Sequence, residues 1–137
     1  MSKYKVLWAK STPFHPLWKH LLDAAAVSLE LDIKMLSGSL SDKIVAFFVA
    51  LHDIGKVDPV FQHQFSEQKQ DLLDAGFPAT ADVRCRHEAI SASFVEKYLR
   101  SAGWQNRLSN SISTAIRAHH SHWNTHHRGM LSPCPWG

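Results

Sequence analysis

Apolar residues recur at helical spacing along most of this chain, and Gly, Pro and Ser cut the pattern into short segments. That spacing gathers the apolar side chains of each segment into one stripe, which is buried most readily against another helix. Pro16 fits the first turn of a helix running to about Met35, with Leu17, Leu21, Ala24, Ala25 and Leu29 on one stripe. Ser37-Gly38-Ser39 breaks it. Ser41 caps a second helix through Leu51, so apolar from Ile44 to Leu51 that it belongs at the centre, with Gly55 placed to end it. Asp58-Pro59 is a cap followed by a first-position proline, starting a short helix through Phe65 that Glu67–Asp74 can extend; Gly76–Asp82 reads as loop. Two more helices are expected. One spans Glu88–Ser101 with Ile90, Phe94, Val95 and Tyr98 in phase, closed by Gly103. The other spans Asn106–Ala118 with Leu108, Ile112, Ala115 and Ile116 in phase. No alternating run of strand length stands out, so the expected fold class is all-α. The 137 residues fit one domain and leave no room for two full catalytic domains.

The composition is globular and mildly basic, with 15 Lys plus Arg against 12 Asp plus Glu and a net charge of +3. The basic residues are scattered, which describes a solvated surface compatible with an anionic partner without demanding one. Cys85 and Cys134 stand far apart and form no CxxC, so neither a zinc knuckle nor a disulfide framework is suggested. Residues Met1–Ser11 lack the apolar core of a signal peptide, and the longest apolar run is far shorter than a membrane span. A soluble cytoplasmic domain without a membrane partner is the expectation. The unusual count is ten His. Neutral imidazole is the commonest protein metal ligand.

The informative string is Leu51-His52-Asp53-Ile54-Gly55-Lys56, at the end of the most apolar helix. His52 offers a neutral nitrogen donor beside the anionic oxygens of Asp53, and a carboxylate can bridge two cations. A lone His-Asp pair is more often a solvated helix end. Four separate segments change the odds. His20 lies among Leu17, Leu21 and Ala24, His87 opens a helix, and Ile112, Ala115 and Ile116 place His119, followed by His120, on a buried face. A helical bundle can bring such segments together as an interior metal site.

The order His20, His52-Asp53, His87, His119-His120 resembles the HD phosphohydrolases. The strings Trp8-Ala9-Lys10-Ser11, His20-Leu21-Leu22-Asp23-Ala24-Ala25-Ala26-Val27 and Ala50–Lys56 followed by Phe61-Gln62 narrow the resemblance. They are similar to the HD nuclease domain of the CRISPR-associated nuclease-helicase of type I systems. His87 with Ile90-Ser91-Ala92, and Ala118-His119-His120, continue the match, which covers about residues 5–120. The resemblance implies an HD-domain helical bundle with an interior metal site, and a metal-dependent nuclease cutting single-stranded DNA in CRISPR antiviral defence. It implies that His20, His52 and Asp53 hold one metal and that Asp53, His87, His119 and His120 hold a second. Asp53 and Lys56 are then the catalytic residues, with Lys56 facing the scissile phosphate. Mixed nitrogen and oxygen donors suit one or two divalent transition ions, iron, manganese, nickel or cobalt, ahead of magnesium. The implied partners are single-stranded DNA, a helicase portion on a separate or missing segment, and the CRISPR effector complex, Cascade.

Three departures from the family pattern are visible. Ser121 follows the His pair where the family commonly has Gly, the helicase portion is absent, and the family's final metal-binding Asp has no counterpart. After Asp82 the only acids are Glu88 and Glu96, both within an expected helix. Residues 1–120 therefore read as an HD nuclease domain incomplete at its C-terminal end, and residues 121–137 as an irregular His-rich tail. Two dications beside one carboxylate leave excess buried charge, so the set with His87, His119 and His120 is expected to be the better site. A missing C-terminal helix would also expose Phe47, Phe48 or Ile112. Trp8, Trp18, Trp104 and Trp123 are candidate stacking platforms for bases, although Trp18 and Trp104 sit in helical phase. Two other functions fit parts of the pattern: a truncated, catalytically weak or inactive HD relative acting as a binding module, and an HD phosphohydrolase on nucleotides.

Overall fold

The computed structural model describes residues 3–31, 41–79 and 85–120. Among them the helical spacing resolves into α1 (Leu17–Glu30), α2 (Asp42–Leu51), α3 (Pro59–Gln62), α4 (Lys69–Asp74), α5 (His87–Ser101) and α6 (Asn106–Ala118). Short 3-10 turns cover Lys3–Val6, Ile54–Val57 and Ser66–Gln68. Two brief strands, β1 (Trp8–Lys10) and β2 (His15–Pro16), pair antiparallel with Trp8 opposite Pro16 and Lys10 opposite His15. The fold is a helical bundle with this one hairpin added. Strands of three and two residues are too short to leave an alternating signature.

Helix α1 packs on α2, α5 packs on α6, and the turn Ile54–Val57 is wedged against the start of α5. One core joins Phe48 of α2, Ala92, Val95 and Leu99 of α5 and Ile116 of α6, with Trp104 edge-on to Phe48. A second joins Leu7, Ala9, Leu17 and Leu72. Asp58 caps α3 as expected: its Oδ2 accepts from the Phe61 N–H at 3.2 Å, with Pro59 in first position. Gly103, at φ +80°, adopts the left-handed conformation that closes α5.

Several expectations are corrected. The segment after Asp58 is two helices, α3 and α4, separated by a 3-10 turn. On α5 the buried face is Glu88, Ser91, Ala92, Val95 and Leu99, while Phe94 and Tyr98 are exposed and stacked on each other. Small and polar residues hold the face where the Ile54–Val57 turn approaches too closely for large ones. Leu29 is exposed, and the expected end of α1 at Met35 lies outside the described residues. Phe48 is buried, whereas Phe47 is exposed. Trp18 is exposed, Trp8 is buried rather than presented to solvent, and Trp123 lies outside the described residues. Cys85 is disulfide-bonded, because separation along a chain does not fix separation in space. Among the described residues no helix is long and apolar enough to cross a membrane.

Trp8 is held by Gln62, a polar side chain with no exposed surface. The Trp8 backbone N–H donates to Gln62 Oε1 at 3.0 Å, and Gln62 Nε2 donates to Trp8 O at 2.9 Å and Lys56 O at 2.7 Å. The indole Nε1 donates to Gln62 O at 3.0 Å. The amide thus ties the β-hairpin to the turn that carries Lys56. Gln62→Leu leaves these buried backbone groups without partners. It is expected to cost about 3 kcal/mol, read as a lower denaturation midpoint with the denaturant slope unchanged.

Candidate metal centre

Every residue of the expected ligand set is drawn from a helix end or beside one, apart from His20 in the first half of α1. Helix α2 buries Ala46 and Phe48, and its C-terminal end delivers half-buried His52 and buried Asp53 toward the interior. His52 caps the helix, and Asp53 opens the 3-10 turn that carries Lys56. His87 is the first residue of α5, and His119 and His120 directly follow α6.

The turn reaches α5 only because residue 55 has no side chain. A Cβ at Gly55 would stand 2.0 Å from the His87 carbonyl oxygen and 2.8 Å from the Ser91 nitrogen. Its N–H donates instead to Ser91 Oγ at 2.8 Å. Gly55 was expected to stop α2, but the helix has already ended at Leu51. The glycine is there for close approach, which sets Asp53 against His87.

Asp53 is 2% exposed, and its two oxygens face different groups. Oδ2 lies 2.9 Å from His20 Nε2, 3.3 Å from His52 Nε2 and 2.7 Å from Lys56 Nζ. Oδ1 lies 3.1 Å from His87 Nε2 and 3.2 Å from His119 Nε2. His120 stacks obliquely on His119, with ring centroids 4.1 Å apart. The donors form two sets, Asp53-His87-His119-His120 and His20-His52-Asp53, and in each the candidate ligand atoms lie within 4.8 Å of one another.

The ring nitrogens on the far side decide what these Nε2 atoms offer. His52 Nδ1 donates to the Val49 carbonyl at 2.7 Å, and His119 Nδ1 donates to the Ile116 carbonyl. In the neutral tautomer each Nε2 is therefore a lone pair aimed at a carboxylate oxygen, itself an acceptor. A cation, either a proton or a metal ion, must lie between them. His87 Nε2 is buried, close to Oδ1, and makes no hydrogen bond. Its unpartnered nitrogen fits a metal position on the Oδ1 side.

Burial pushes the Asp53 carboxyl up, but its contacts with His52, His87 and Lys56 outweigh this and hold it far below the usual carboxylate range. The hydrogen bond to Asp53 raises His52. Burial lowers His20, which stays low despite its contact with Asp53. His120 is lowered by burial and by the neighbouring imidazoles. A divalent ion requires an ionised carboxylate beside neutral imidazoles: His20 and His120 lean that way, whereas His52 must give up a proton to become a ligand.

Lys56 Nζ sits on the carboxylate itself and 5.7 Å from the Phe61 ring centroid. It competes for Oδ2, while no ammonium contacts Oδ1 among the described residues. The other described histidines take no place in the cluster: His15 pairs with Asp23 at 3.3 Å, and His63 Nε2 contacts the Phe77 carbonyl at 3.0 Å. His122, His126 and His127 lie outside the described residues. Gln62 and Ser91 brace the turn that carries Lys56, through the bonds to Lys56 O and from the Gly55 N–H, and were not singled out as such from the sequence. A buried glutamine that bonds to distant backbone gives no local pattern to read.

The sequence profile of the family described as "Cas3, HD domain" matches residues 8–132. A CRISPR-associated endonuclease/helicase Cas3 from Thermus thermophilus is 35% identical over 132 residues, covering 83% of this chain and 14% of that protein. A crystal structure of a CRISPR-associated protein superposes with a TM-score of 0.70 at 31% identity, covering 93% of this chain and 17% of that one. The chain spans a small fraction of the length of these relatives.

Proposed function

Because the chain belongs to the Cas3 HD-domain family, we propose that it is a metal-dependent nuclease domain cutting single-stranded DNA in CRISPR antiviral defence. In this reading it works in the cytoplasm, with a helicase portion carried elsewhere and with the effector complex Cascade. The observation that carries the reading is the convergence of imidazole Nε2 lone pairs on one buried, ionised carboxylate, an arrangement that calls for a cation.

Asp53 Oδ1, His87, His119 and His120 would hold one divalent transition ion, iron, manganese, nickel or cobalt. His20, His52 and Asp53 Oδ2 would hold a second. Such ions acidify a bound water and neutralise phosphate oxygens. Asp53 fixes the spacing of the two sets because both draw on it. The Val49 and Ile116 carbonyls hold His52 and His119 in the ligating tautomer. Lys56, at the edge of the cluster, would face a phosphate oxygen and offset the charge that grows on it in the transition state.

The test is degradation of single-stranded DNA by the purified chain with manganese, nickel or cobalt, and its loss in Asp53→Ala. Activity that survives Asp53→Ala would overturn the proposal.

Lys56 also bears on stoichiometry. Its ammonium stands on Oδ2, so an ion at the His20-His52 set must displace it. Elemental analysis of the native chain is expected to find about one ion, and Lys56→Gln to raise the number toward two by removing a competing charge. Cleavage by that variant is expected to fall about 100-fold, because a transition-state contact is lost.

A further inference from the structure

Of the four imidazoles facing Asp53, His52 and His119 are oriented by the backbone at helix ends, and His87 stands at the opposite kind of end. His52 and His119 follow the last turns of α2 and α6, where terminal carbonyls lack helical partners and accept their Nδ1–H groups. His87 opens α5, and a helix start presents N–H donors rather than carbonyl acceptors. The Nδ1 of His87 therefore has no helix-end carbonyl to donate to, unlike those of His52 and His119.

Glu88 stands at that place. It is 4% exposed, and its Oε2 lies 3.5 Å from His87 Nδ1 while its Oε1 pairs with Arg86. A carboxylate is costly to bury without such partners. Its charge also lies next to the donor set on the Oδ1 side, where Asp53 is the one acid among the candidate ligands. Being inside a helix does not remove Glu88 from the centre, because it sits at the end of α5 that meets Asp53.

We propose that Glu88 is a positioning residue that holds the His87 proton on Nδ1, turns the Nε2 lone pair toward the metal, and supplies a second anion beside the Oδ1-side ion. The proposal rests on the metal-centre reading above.

The test uses the full 137-residue chain and cobalt(II), read by calorimetry and by the visible absorption of the bound ion. Glu88→Ala is expected to weaken cobalt binding about 100-fold and alter the absorption band. Glu88→Gln, which keeps an acceptor without the charge, should restore part of the loss. Combined with His87→Ala, Glu88→Ala should add little, since it acts through His87. The metal-free proteins provide a second readout: imidazole nitrogen shifts should place the His87 proton on Nδ1 in the native chain, and no longer uniformly there in Glu88→Ala. If Glu88→Ala does not fold, the double variant is made with Glu88→Gln, and cobalt affinity and tautomer are compared for that variant.

Unchanged cobalt affinity in the Glu88 variants, while His87→Ala weakens it, would overturn the proposal but leave the metal centre standing. So would a loss of the same size when His87 is already absent. A native chain that binds no cobalt would overturn the metal-centre reading, and the tautomer alone would then decide the role of Glu88: retention on Nδ1 without the carboxylate refutes it.

Discussion

Asp53→Asn is expected to reduce cleavage by about 10³-fold or more and to weaken metal binding by more than about 100-fold. The substitution keeps the shape of the side chain and removes only the charge and one acceptor oxygen. Asp53 is the single residue common to both donor sets, so the loss falls on both at once. By contrast, removing His20 alone leaves the Oδ1-side set complete. A neutral amide also leaves Lys56, whose side chain is 11% exposed, without its anion. The metal-free variant should therefore be less stable by about 3 kcal/mol. The two effects separate experimentally: calorimetry with manganese reads the first, and denaturant unfolding in a chelator reads the second. Native-like metal affinity in this variant would remove Asp53 from the centre.

Gly55→Ala is expected to destabilise the fold by about 3 kcal/mol or more and to disable the centre without changing any candidate ligand side chain. The added Cβ meets backbone, the His87 carbonyl and the Ser91 nitrogen, rather than the end of a movable side chain. Relief requires the Ile54–Val57 turn and α5 to separate. That movement breaks the bond from Gly55 N–H to Ser91 Oγ and draws His87 away from Asp53. Ser91→Ala is the matched control. It removes the hydroxyl but leaves room for the approach, and should cost only about 1 kcal/mol. Equal effects of the two substitutions would mean that the hydrogen bond, rather than the close contact, holds the turn in place.

The order of the candidate His and Asp donors and the bounds of α6 were legible because each rests on a local signal. A His-Asp pair leaves an apolar helix, and an amphipathic stretch runs unbroken from Asn106 to Ala118. What escaped notice depends on contacts between distant segments. The side chain of Gln62 satisfies backbone groups at Trp8 and Lys56, a match nothing near position 62 announces. Phe94 and Tyr98 kept helical phase with each other but on the outer face of α5. The inner face runs through Ser91, which lies against the turn at Gly55, and Ala92, which packs in the Phe48 core. Glu88 looked like an ordinary helical acid, since its burial comes from its place at the junction of α5 with the centre.

The donors reach from His20 in the first long helix to His120 just past the last. An ion bound among them would act as a reversible cross-link across nearly the whole described chain. The unfolded ensemble holds no preformed site, so binding favours the state in which all the segments are assembled. At a free metal concentration 100 times the dissociation constant, the folded state gains about 2.7 kcal/mol. The availability of the ion would then govern how long the domain survives unfolding and proteolysis.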